Sequence, residues 1–227
     1  MKNKQMSEAY MLGALLAVVG GFLDAYTYIS RGNVFANAQT GNIVFLGLNL
    51  AEKNWNEVIH YSLPIVAFVF GVVTSEILKS KFKENTNIHW RQITVAIETV
   101  VLFMVAFIPQ GGMDLIANIA ISFVCSLQVQ SFRKFNGNTL TTTMCTGNLR
   151  IATEQIILYS HTKDSRVRNK SLQYYGIILF FIIGAALGAI LTKILIEKAI
   201  LFNCVVLIFV FAIMFIKEEK ENPTAEL

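Results

Sequence analysis

Charge is scarce in this chain. Only 15% of its 227 residues are Asp, Glu, Lys or Arg, against about 25% in an average soluble domain. Histidine is rarer still: His60, His89 and His161 all fall in loops or at the ends of apolar runs, so no zinc site is indicated. The three cysteines, Cys125, Cys145 and Cys204, lie in apolar context without metal spacing or a disulfide framework, and read as small packing residues. A phosphate-binding glycine loop, a nucleophile motif and a His-rich catalytic set are all missing. These absences argue against ATP-driven transport by this chain alone, and they imply no cofactor and no metal. The net charge of +4 is scattered between apolar runs, which is not the signature of a nucleic-acid partner.

What the chain has is apolar surface. Hydrophobic residues make up 54%, and the mean hydropathy is +0.54. Six apolar runs stand out, at approximately 8–30, 60–80, 91–109, 112–132, 171–193 and 198–217. Several reach the roughly 20 residues that a bilayer core demands. The composition implies an all-α integral membrane protein whose principal partner is the lipid bilayer. The N-terminal run superficially resembles a signal peptide, but it is too long and Asp24 interrupts it, so it reads as a retained helix.

Two shorter apolar segments, 33–52 and 137–160, each carry Thr-Gly-Asn: "NAQTGN" at 37–42 and "TMCTGN" at 143–148. Basic residues decide the expected topology. If neither segment crosses, six spans with both termini inside place 15 of the 19 basic residues in the cytoplasm, leaving Arg31, Lys53, Lys193 and Lys198 outside. If both cross, the cluster from Lys79 to Arg91 goes outside, against the positive-inside rule. The expectation is therefore six transmembrane helices plus two re-entrant half-helices.

The segments also reveal a repeat. "GNVFANAQTGN" at 32–42 matches "GNTLTTTMCTGN" at 137–148 with one inserted residue, and Gly71 and Ser75 align with Gly184 and Gly188. A single membrane domain, 1–227, thus divides into a first repeat, 7–109, and a second, 112–217. Each half has three spans, so the halves are inverted relative to each other, a 3+3 architecture used by many channels and transporters. Each Thr-Gly-Asn segment is expected to dip into the membrane and return as a short helix, about 43–52 or 149–160, with Thr40, Asn42, Thr146 or Asn148 capping the first amides. Two such helix ends meeting near the midplane form a site for an anion or a polar acceptor. Thr-Gly-Asn as a kink in a full-crossing helix, giving eight spans, and as the start of a surface helix remain the competing readings.

The stretches "GGFLDAYTYISRGNVFANAQTGNIVFLGL", 20–48, and "LQVQSFRKFNGNTLTTTMCTGNL", 127–149, resemble the YoaK-like family of bacterial inner-membrane proteins, a domain of unknown function sometimes labelled permease. The resemblance implies a multi-pass protein of the bacterial cytoplasmic membrane with about six spans. It supplies no substrate or mechanism.

The candidate solute-binding residues are Thr40, Gly41, Asn42, Thr146, Gly147 and Asn148. Candidate coupling or polar positions are Asp24, its repeat counterpart Gln128, Glu98 and Arg150. A carboxylate inside a span costs on the order of 3 kcal/mol on insertion scales, so Asp24 and Glu98 call for a cavity or a partner; Arg31 is the alternative partner for Asp24. Arg150 and Glu154 are spaced i, i+4 and form an ordinary helical pair in the competing reading. Gly184-x-x-x-Gly188 and Gly71-x-x-x-Ser75 are close-packing faces. The expected activity is a channel or secondary transporter for a small polar or anionic solute, rather than an enzyme. An intramembrane enzyme for an apolar substrate and a structural or regulatory subunit are the alternatives, and a homo-oligomer is left open.

Overall fold

The computed structural model describes residues 10–82, 89–135, 138–139 and 145–214. The expected cytoplasmic termini and part of the descending segment 137–145 fall outside these residues. Among the described residues there are eight α-helices: α1 (Tyr10–Ser30), α2 (Gln39–Ala51), α3 (Trp55–Phe82), α4 (Trp90–Val105), α5 (Asp114–Ser131), α6 (Cys145–Thr162), α7 (Ser165–Leu195) and α8 (Leu201–Ile213). A 3-10 turn, Ile196–Ile200, separates α7 from α8, and Lys134–Phe135 pairs with Asn138–Thr139 in a two-residue antiparallel ladder. Among the described residues four stretches are long and apolar enough to cross a membrane: Tyr10–Ser30, Trp55–Phe82, Asp114–Ser131 and Ser165–Ile213, the last containing both α7 and α8. The six apolar runs of the sequence fall on α1, α3, α4, α5, α7 and α8, and the two Thr-Gly-Asn segments open α2 and α6.

Small residues set the packing. Gly184 lies against Val18, Gly188 against Phe22, and Gly21 against Phe181, so α1 and α7 run parallel with their backbones nearly touching. Gly71 lies against Phe123, and Ser75 Oγ is 3.0 Å from Ser131 Oγ, so α3 and α5 form a second parallel pair. Small side chains permit this approach, and dispersion rewards it where lipid offers no hydrophobic drive. The contacts come in mates. Exchanging α1–α4 with α5–α8 turns α1·α7 into α5·α3, α2·α3 into α6·α7, and α4·α5 into α8·α1, while α4·α8 maps onto itself.

Arg31, expected at an exposed loop, is fully buried. Its guanidinium donates to Tyr26 Oη (2.9 and 3.1 Å), Ile108 O (2.8 Å), Pro109 O (3.1 Å) and Asp114 Oδ1 (3.0 Å). It clamps the end of α1 to the turn between α4 and α5. Removing one partner of a buried pair costs about 3–5 kcal/mol. Arg31→Met is therefore expected to lower the melting temperature in detergent by about 10 °C or more, with Arg31→Lys intermediate because it lacks the planar fork. A melting temperature unchanged in Arg31→Met contradicts the clamp.

Candidate functional site

The chain after α1 turns at Gly32 and Asn33, both at positive φ (80° and 60°), and runs back along the helix it has just left. Asn37 Nδ2 donates to Gly20 O (3.2 Å), a residue about 15 Å below Ser30 along α1 at 1.5 Å per residue. α2 then returns. Its last residues lead through a three-residue turn into α3, with Phe45 stacked on Tyr61 at 5.2 Å. His60 Nε2, near the start of α3, sits 2.8 Å from Gly32 O. Entry and exit are thus at the same end of the bundle, and the tip at residues 37–40 is level with Asp24. In the second half, α6 and α7 form a hairpin in which Ser171 Oγ donates to Ala152 O (2.8 Å) and Thr153 Oγ1 is 3.1 Å from Tyr175 Oη. Asp164 caps α7 by accepting from Arg166 N at 2.8 Å; that bond and the Arg166 side chain hold its carboxyl below the usual range.

Both helices begin earlier than the sequence implies, at Gln39 and Cys145 rather than 43 and 149, so Thr-Gly-Asn lies inside the first turn. The N-cap residue of α2, Ala38, makes no side-chain cap. Asp24 on α1 instead holds the residues just ahead of the helix: its Oδ1 accepts from Asn37 N (2.7 Å) and Ala38 N (3.3 Å). The expected cap from Thr40 or Asn42 is corrected accordingly. A carboxylate thirteen residues upstream meets the unpaired amides and the positive end of the helix dipole. Asp24 does not pair with Arg31, which is committed elsewhere.

The two tips open on one cavity of about 720 Å³. Asn37, Gln39 and Thr40 come from the first tip, Cys145, Thr146 and Gly147 from the second, and Asp24 stands between them. Tyr28, Phe35, Phe68 and Phe181 give the rest of the wall an aromatic character. Phe68 and Phe181 are about 20 and 24 Å from the starts of α3 and α7, near the middle of each helix.

Of the sequence candidates, Thr40, Thr146, Gly147 and Asp24 line the cavity; Gly41, Asn42, Asn148, Gln128, Glu98 and Arg150 do not. Gly41 is held under the Phe35 ring, where a Cβ would come within 2.7 Å of it. Asn42 is fully buried and spent on its own loop: Oδ1 accepts from Phe35 N (2.9 Å), and Nδ2 donates to Phe35 O (2.6 Å) and Gln39 Oε1 (2.9 Å). It shapes the tip without facing a solute. Asn148 is also buried. Gln128 donates to Leu16 O (3.1 Å), joining α5 to α1. Arg150 pairs with Glu154 at 2.5 Å on the exposed face of α6, and so adds no charge to the cavity. Glu98 is fully buried in α4, and among the described residues its carboxyl oxygens have no hydrogen-bond partner. The residues that sequence reasoning passed over are Asn37, Gln39 and Cys145. All three lie in the two quoted stretches, and Gln39 and Cys145 each precede Thr-Gly directly. Among the described residues no group of three or more His, Cys, Asp or Glu is arranged to hold a metal ion.

A family model described as "Protein of unknown function (DUF1275)" matches residues 12–213. The chain is also similar to the UPF0700 transmembrane protein YoaK of Bacillus subtilis (strain 168), with 27% identity over 190 residues, covering 78% of this chain and 81% of that protein. No solved structure matches. The resemblance carried by residues 20–48 and 127–149 is confirmed, and with the four long apolar stretches it identifies a membrane-spanning helical protein.

Proposed function

The chain belongs to the DUF1275 family, and within it we propose that the protein is a channel or secondary transporter for a small solute that passes between the two Thr-Gly-Asn tips. In this reading α1, α3, α4, α5, α7 and α8 span the bacterial cytoplasmic membrane with both termini inside. The half-helices α2 and α6 enter from opposite faces, and the mated contacts reflect an inverted repeat about an axis in the membrane plane. The observation that carries the proposal is the shared cavity: irregular backbone at membrane depth is tolerated where it lines a cavity.

The geometry also narrows the solute. The amides just ahead of α2 already hold the Asp24 carboxylate, and Arg150 is turned away. A second anion there meets repulsion in a low-dielectric space. Aromatic walls with a few hydrogen-bonding groups fit a small neutral solute better than the anion the helix dipoles alone favour. An intramembrane enzyme acting through Asp24 and Glu98 together has less support, since only Asp24 is on the wall.

Cys145 is a built-in probe, half-buried on the wall, whereas Cys125 and Cys204 are buried. In proteoliposomes, stopped-flow light scattering should show faster entry of urea or glycerol than in protein-free vesicles. A small permeant thiol reagent should cut that entry about tenfold, and Cys145→Ala should abolish the block. No flux of any neutral solute contradicts the proposal, as does a block that persists in Cys145→Ala.

A further inference from the structure

Away from the cavity, the interface of α4, α5 and α8 holds a cluster of polar side chains that the solute path does not use. Glu98, Ser122 and Asn203 are each fully buried. Among the described residues, both Glu98 oxygens, Ser122 Oγ and both ends of the Asn203 carboxamide lack hydrogen-bond partners. Asn118, one turn beyond Ser122 on α5, donates its amide to Arg31 O (2.6 Å) but leaves Oδ1 unpartnered.

α4 packs against both α5 and α8. Cys125 of α5 and Cys204 of α8 are buried in the same core as Val95 and Leu102, which flank Glu98 on its face of α4. Ser122 is three residues before Cys125, on the same face of the helix. Asn203 precedes Cys204, whose Sγ lies 3.7 Å from Thr99 O, beside Glu98. The nearest guanidinium groups are engaged elsewhere: Arg31 with Asp114, and Arg91 with Ser131 O at 3.0 Å.

Buried polar atoms without partners call for an explanation, and a missing ion is one. Five of the six unpartnered atoms in this cluster are oxygens: two on Glu98 and one each on Ser122, Asn203 and Asn118. A proton on Glu98 adds a single donor and leaves most of these acceptors unmet. A hard cation takes carboxylate, carboxamide and hydroxyl oxygens together, and one carboxylate balances one positive charge. We propose that Glu98, Asn203 and Ser122 bind a monovalent alkali cation, with Asn118 closing the outer side. The site extends the transporter reading, on which it rests for its role, by supplying a coupling ion separate from the solute cavity.

Binding can be read without transport. Purified protein in detergent is melted in NaCl, KCl or choline chloride at equal ionic strength, and ²²Na⁺ binding is measured at equilibrium. Na⁺ at a hundredfold excess over its Kd should raise the melting temperature by roughly 5–10 °C above choline, with one Na⁺ bound per chain. Glu98→Gln should remove both effects. Asn203→Ala and Ser122→Ala, which leave the carboxyl in place, should weaken binding at least tenfold, and they decide the matter if Glu98→Gln does not fold. Equal melting in all salts with no bound Na⁺ overturns the site, as does Na⁺ stabilisation unchanged in all three variants. Neither result bears on solute flux through the cavity, and absent flux with intact Na⁺ binding sinks only the transporter reading.

Discussion

Gly21→Val and Gly184→Val are expected to yield no folded protein. A Cβ on Gly21 would stand 2.0 Å from Phe181 O, and one on Gly184 would stand 2.1 Å from Val18 O. Both obstacles are backbone, which cannot swing aside as a side chain can. The α1–α7 seam runs through the middle of the bundle, and prying it open also breaks the wall of the cavity at Phe181 and Ala185. Even Gly→Ala at either position is an overpacking change worth at least about 1–3 kcal/mol. Gly47 and Gly147 provide the contrast, since a Cβ at either meets nothing within 4 Å. Both lie in helices, so Gly47→Ala should be neutral or stabilising by about 0.5–1 kcal/mol. Melting temperatures of Gly21→Ala, Gly184→Ala and Gly47→Ala in detergent check the pattern, and equal stability of Gly21→Ala and Gly47→Ala contradicts it.

Asp24 separates fold from function more finely. Asp24→Ala strips the acceptor from the amides of Asn37 and Ala38 just ahead of α2, each worth about 1–3 kcal/mol when orphaned. The first tip should loosen, the cavity should lose its shape, and flux should fall more than tenfold. Asp24→Asn keeps a carbonyl oxygen for the same amides and removes only the charge. It should retain the fold and neutral-solute flux while easing the entry of small anions. A gradient-driven accumulation that vanishes in Asp24→Asn would add a coupling role to the structural role. Asp24→Ala with full flux and normal stability removes Asp24 from the site.

Much of this was legible in the sequence. The six apolar runs fall on α1, α3, α4, α5, α7 and α8, because an apolar helix is a local property of composition and length. The two Thr-Gly-Asn segments stood out because glycine and asparagine are uncommon company for greasy runs, and both mark the starts of short helices. What was not legible depends on partners distant in the chain. α2 starts at 39 rather than 43, where Asp24, fifteen residues upstream on another helix, holds the amides of Asn37 and Ala38. Arg31 read as a loop residue because Asp114 and the carbonyls at 108 and 109 are brought to it only by the bundle. Asn42 read as a ligand because its bonds to Phe35 require the loop to fold back on itself. The Arg150–Glu154 pair needed only one helix turn, and i, i+4 spacing anticipated it.

The proposed function requires the two tips to meet at one cavity inside the membrane. Thr40→Cys and Thr146→Cys, combined on a background without native cysteines, place one thiol on each tip. A short, membrane-permeant bifunctional maleimide applied to native membranes should join them within one chain. Glu52→Cys with Thr162→Cys, at the far ends of α2 and α6, is the matched control; those thiols should stand about one hydrocarbon core apart, ~30 Å, and stay unjoined. Efficient joining of the tip pair alone is the expected result. Tips that never join in folded protein contradict the re-entrant, shared-cavity arrangement and the transport function drawn from it.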